Sequence, residues 1–233
     1  LGEVNQHTHL NAPGSGLLGR FGQQMEDRPM IFTEWTMLPP AWWRAEITPL
    51  FAYYGMGLHG WDGSYHFSGG KPWLRGGWPG QNSYVSETPL YMGQFPALAR
   101  AVHEGHIATS ELAAARRLPE DLAFSGYDAL TQPTGTSGWD PDSGEDDFLL
   151  PDGAFAVGRI VTNIGGEEEP SHVSWGDYID DSTGVIISLT GELTWHTTEG
   201  YVLVDSERSQ AVIGFAGGST HTLADFSIQL VTD

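Results

Sequence analysis

The chain has 233 residues, 39% of them hydrophobic, enough for one large domain or a small pair with an ordinary core. Its formal net charge is −20, and Lys71 is the sole lysine among ten basic residues. Such a field repels phosphate backbones and anionic membranes and points to a neutral ligand, while the absence of cysteine removes disulfides, thiolate nucleophiles and cysteine-held metals.

An acidic, lysine-poor composition also suits a salty environment, where screening shortens the reach of self-repulsion. Residues 1–6 lack the basic start and apolar core of a signal peptide, and no uninterrupted apolar run approaches membrane-spanning length.

Residues 3–9 fit a strand that places Asn5, His7 and His9 on one face. A Gly/Pro loop follows, and Leu17, Leu18, Phe21 and Met25 then recur at helical spacing, which predicts a covering helix over residues 11–27. Met30 to Thr33 form an apolar, partly β-branched run behind Pro29 and predict a short buried strand that ends on Glu34 and Trp35. A helix opened by Pro39-Pro40 and running through Trp42, Ala45, Glu46, Leu50 and Tyr53 comes next. A second strand through Leu58-His59-Gly60-Trp61-Asp62-Gly63 completes one unit of a parallel sheet.

A carboxylate at a strand end, bracketed by Trp, is placed for chemistry on a sugar. The Thr33-Glu34-Trp35 and Gly60-Trp61-Asp62-Gly63 motifs and their spacing resemble the retaining (β/α)8-barrel glycoside hydrolases, in the region of the family-42 and agarase-like enzymes. The resemblance implies that Glu34 ends the seventh strand as nucleophile and that Trp61 ends the eighth as the floor on which the sugar at the cleavage point stacks. It places residues 3–9 as strand six and gives His7, His9, Trp35 and His59 the task of orienting sugar hydroxyls or Glu34, with Asp62 at the cleft rim. An eight-stranded barrel takes about 250 residues by itself, so the chain is expected to be the C-terminal part of a longer protein. The second carboxyl group, the Glu of an Asn-Glu pair, is expected on a missing N-terminal part of the barrel, because no Asn-Glu occurs in the sequence. Any export signal would lie there too.

Two other readings stay open. His7-x-His9 on a barrel strand is also the metal-binding opening of amidohydrolases, with His59, His66 and Asp62 as an unconvincing remainder of the ligand set. A noncatalytic sugar-binding protein would keep the aromatic loop and need no carboxylate pair.

That loop runs from Asp62 through Tyr65, His66, Phe67, Trp73, Trp78 and Tyr84, and Trp73 and Trp78 are candidate sugar platforms. Leu90, Met92, Phe95, Leu98, Ala99 and Val102 then give a helical stripe that ends at Glu104-Gly105. Residues 107–130 carry no chemical motif and read as a bridge. Asp140, Asp142, Glu145, Asp146 and Asp147 form an acidic loop, best read as solvated, with structural calcium as the alternative and no other cofactor expected.

From Ala154 the period changes to two, and six short runs between residues 155 and 231 predict an antiparallel β-sandwich. Residues 192–215 also resemble the β-domain that follows the barrel in the enzymes named above. A sugar-binding role for this part would rest on Trp175, Trp195 and Tyr201. The expected organisation is therefore barrel residues 1–106, a bridge and acidic loop over 107–150, and a β-sandwich over 151–233.

Overall fold

The computed structural model describes residues 8–13, 24–35, 44–67, 92–124, 150–165, 170–214 and 218–229. They form a mixed α/β part and an antiparallel β part. No (β/α)8 barrel is formed among the described residues.

Strands β1 (Gln24–Met25), β4 (Leu112–Leu118), β5 (Arg159–Ile164) and β6 (Ser171–His172) make one sheet in the order β1-β5-β4-β6. The first three are parallel, and β6 closes the β4 edge antiparallel. This sheet draws strands from all three ranges of the expected organisation. Its inner strands are buried in runs, with Ala114, Ala115 and Arg116 opposite Ile160, Val161 and Thr162, as strands covered on both faces should be.

Strands β2 (Ile31–Trp35) and β3 (Gly63–His66) form a separate parallel pair. Between them, helix α1 (Arg44–Leu50) continues as a π-helical segment, Phe51–Leu58. The expected strand, helix and parallel strand are therefore present, with two corrections. The pair has an open outer face, so Ile31 is 47% exposed and β2 is not the buried strand expected. The second strand starts only at Gly63, because the helical segment runs to Leu58 and Gly60 turns the chain at a φ of 65°. Trp61 thus precedes β3 instead of ending it.

Helix α2 (Phe95–His103) ends at Glu104 and the left-handed Gly105, as expected, and packs Leu98 and Ala101 inward. Two short helices, α3 (Glu120–Phe124) and α4 (Ala154–Val157), flank the mixed sheet. The run expected as the first sandwich strand is thus split: Ala154 to Val157 turn helically, Gly158 breaks the turn, and β5 joins the parallel sheet.

The antiparallel part is a five-stranded meander in the order β11-β10-β9-β8-β7. Its strands are β7 (Ile179–Asp180), β8 (Val185–Ile187), β9 (Leu193–His196), β10 (Tyr201–Asp205) and β11 (Gln210–Gly214). Alternation along β9 and β10 buries Leu193, Trp195, Val202 and Val204. Strands β12 (Thr220–Thr222) and β13 (Ser227–Gln229) form a hairpin of their own.

Of the expected strand over 3–9, residues 3–7 lie outside the described residues, Thr8 has no regular structure and His9 sits in a bend. Of the helix expected over 11–27, residues 14–23 lie outside, and Met25 belongs to β1.

Candidate functional site

The C-terminal end of β2 carries Glu34 and Trp35. Glu34 is exposed, while Trp35 turns the other way and is buried, as alternate residues on a strand must be. The Trp35 indole N–H donates to Ser64 Oγ on β3 at 2.7 Å. Its ring stacks on Phe51 with centroids 4.1 Å apart and meets the edge of His66 at 4.7 Å. Three elements therefore fix the backbone that presents Glu34. Behind it lies a cavity of about 190 Å³ whose walls include Trp35, Phe51, His66 and Phe95.

Trp61 is at the opposite end of the pair, since Asp62 N–H donates to Met30 O in front of β2. The ring is 3% exposed, stacked on Phe32 at 5.6 Å and edge-on to Phe51 at 5.5 Å. It fills the core beside Gly55, so neither face is open to a sugar. Asp62 Oδ2 accepts the Met30 N–H at 2.9 Å and serves as a strand-entry cap remote from Glu34.

His59 is fully buried, with Nε2 2.7 Å from Phe155 O, an arrangement in which the ring donates. Burial pushes its pKa down to about 4; the bond to Phe155 opposes this and the Arg159 charge adds to it. It is a neutral core histidine and does not orient Glu34. Trp195, 0% exposed and donating to Leu10 O at 2.8 Å, is likewise no surface platform. His7, Trp73, Trp78, Asp140, Asp142 and Glu145 lie outside the described residues.

His9 belongs to a cluster that joins the N-terminal segment to α1. Glu46 Oε1 accepts the His9 backbone N–H at 2.6 Å and lies 3.4 Å from the ring Nδ1, while Oε2 accepts the Thr8 hydroxyl at 2.7 Å. Among the described residues, no group of three or more His, Asp or Glu side chains gathers as a metal would need.

One carboxylate escapes sequence reasoning. Glu26 follows β1, and its Oε2 accepts Arg117 Nη1 at 2.6 Å and Asn163 Nδ2 at 2.8 Å, at the C-terminal ends of β4 and β5. The Asn163 amide, then the Arg117 guanidinium, hold its carboxyl below the usual range. The partners are 91 and 137 residues away, so no local pattern could reveal them.

No family model matches the chain, and neither a curated protein nor a solved structure matches it.

Proposed function

We propose that the chain carries the nucleophile of a retaining glycoside hydrolase, with β2 and β3 as the seventh and eighth strands of a (β/α)8 barrel. The observation that carries this reading is an exposed carboxylate, Glu34, at the C-terminal end of the leading strand of a parallel strand-helix-strand unit, on backbone held by Trp35 and Ser64. Glu34 attacks the anomeric carbon of a poly- or oligosaccharide. The bond to the leaving oxygen breaks as a second carboxyl group gives that oxygen its proton. The same group then removes a proton from the water that releases the sugar.

That partner must approach to about 5–5.5 Å. None of the carboxylates considered above is shown to fill the role: Asp62 caps the other end of the strands, Glu46 is engaged by Thr8 and His9, and Glu26 by Arg117 and Asn163. In this reading the partner belongs to a part of the barrel outside this chain, whereas a second reading, a sugar-binding protein without hydrolysis, needs no such partner.

The test is turnover of a panel of oligosaccharides by the longest natural polypeptide that contains the chain, as wild type and as Glu34→Gln. The glycosidase reading expects a loss of at least about 10³-fold in kcat with the melting temperature kept. Activity retained by the variant would overturn it, and binding without hydrolysis by the wild type would move the assignment to the second reading.

A further inference from the structure

Register decides which side chains share the open face of the β2–β3 pair. Phe32 pairs with Ser64 and Trp35 with His66, so β2 sets two residues, Thr33 and Glu34, opposite the single Tyr65. A bulge of this kind re-aims a side chain and is common next to active sites. Phe32, Trp35, Ser64 and His66 share the face that packs on the helical segment, through the Phe32–Phe51 and Trp35–Phe51 ring contacts and the Trp35–Ser64 hydrogen bond. Alternation therefore turns Tyr65 the other way, onto the face of Ile31 and Glu34.

Tyr65 is 62% exposed, in contrast to Trp61 at 3%. Its ring leans over Gly63, where an added Cβ would stand 3.4 Å from Tyr65 Cε2 and 3.5 Å from Ile31 Cγ2. The lack of a side chain at Gly63 thus seats the ring beside Ile31. The pair is pinned at both ends: Asp62 Oδ2 accepts the Met30 N–H at 2.9 Å at the entry, and Phe67 N–H donates to Trp35 O at 2.8 Å at the exit. Paired strands run roughly 5 Å apart, which sets Tyr65 and the Glu34 bulge within the span of one sugar ring. A large ring left in water is the informative exception to burial, and a tyrosine offers an apolar face to sugar C–H groups while its hydroxyl stays wet. The net charge of −20 disfavours an anionic sugar here.

We propose that Tyr65 is the residue on which the sugar beside Glu34 stacks, and that this sugar is a neutral one. The assignment rests on the reading of the Glu34 end as a sugar site, and it moves the platform from the buried Trp61 to Tyr65.

The probes are cellohexaose, mannohexaose, xylohexaose, laminarihexaose and agarohexaose. They are titrated calorimetrically into the longest natural polypeptide that contains the chain, carrying Glu34→Gln so that binding is read apart from turnover. Adding Tyr65→Ala is expected to weaken the best-bound probe at least about tenfold, while Tyr65→Phe stays within about threefold of the parent. The melting temperature of the Tyr65→Ala variant should stay that of the parent, because so exposed a ring contributes little to folding. Unchanged affinity in Tyr65→Ala would overturn the proposal, and a lowered melting temperature beside it would mean that the ring packs against protein. Failure of every probe to bind would overturn it as well. Turnover by the unsubstituted protein decides the glycosidase reading separately. Hydrolysis with an indifferent Tyr65 removes only the platform, whereas a Tyr65-dependent affinity without hydrolysis removes only the nucleophile.

Discussion

At His59, complete burial sets a charge state and hence a pH dependence. The folded value near 4 lies below the ordinary 6.5, so between these limits the unfolded chain binds more protons than the folded one. The contribution is full above about pH 6.5 and is lost as pH falls towards 4, by roughly 2 kcal/mol at pH 5. Urea unfolding at pH 7 and pH 5 should therefore show a steeper loss for the wild type than for His59→Gln, which keeps a donor for Phe155 O. Parallel losses would contradict the assignment. At this scale the sequence identified unusual residues better than their duties. Trp61 and His59 stand out in a His-Gly-Trp-Asp-Gly stretch that could line a cleft or fill a core, and only the length of the preceding helical segment decides between them. Glu26 and the Glu46 cluster depend on partners far along the chain, and composition says nothing of them.

Among the elements, the π-helical segment is the one whose shape the packing explains. Pro49 interrupts the ordinary helical ladder just before it, and Gly55 lies directly against the Trp61 ring. A Cβ at Gly55 would stand 2.6 Å from Trp61 Cε3, and the ring is itself wedged between Phe32 and Phe51. Gly55→Ala should cost about 1–3 kcal/mol in urea unfolding, with the helical circular dichroism kept. An unchanged midpoint would mean that the ring moves freely and is no core element. The helix itself was legible from its apolar spacing, as were α2 and the alternation of β9 and β10. Strand β4 was not: Leu112-Ala-Ala-Ala-Arg-Arg-Leu has the composition of a helix, and its place between β5 and β6 is set by neighbours that need small side chains. Strand β5 was read as a strand but given to the wrong sheet, since period and composition do not name a partner.

For the molecule as a whole, the net charge of −20 on 233 residues makes self-repulsion a general cost of the compact state. Screening should relieve it, so the melting temperature should rise between low and molar sodium chloride. A flat response would mean that the carboxylates are already compensated. The antiparallel β part was visible in the period-two runs from Val185 onwards, but the change of period near Ala154 does not mark its start, because β5 and β6 belong to the mixed sheet. The mixed sheet was hidden because it joins residues 24–25, 112–118, 159–164 and 171–172, and long-range parallel pairing leaves no short-range mark.

The role of Glu34 is tested most directly by trapping the covalent glycosyl-enzyme with a slow fluorinated sugar substrate and locating the label by tandem mass spectrometry. Trypsin releases residues 21–44 as one peptide, because Arg28 is followed by Pro29, and this peptide contains both Glu26 and Glu34. The account predicts the added sugar mass on Glu34. The same mass on Glu26, or a peptide that stays unlabelled while the full-length protein hydrolyses sugar, would contradict it.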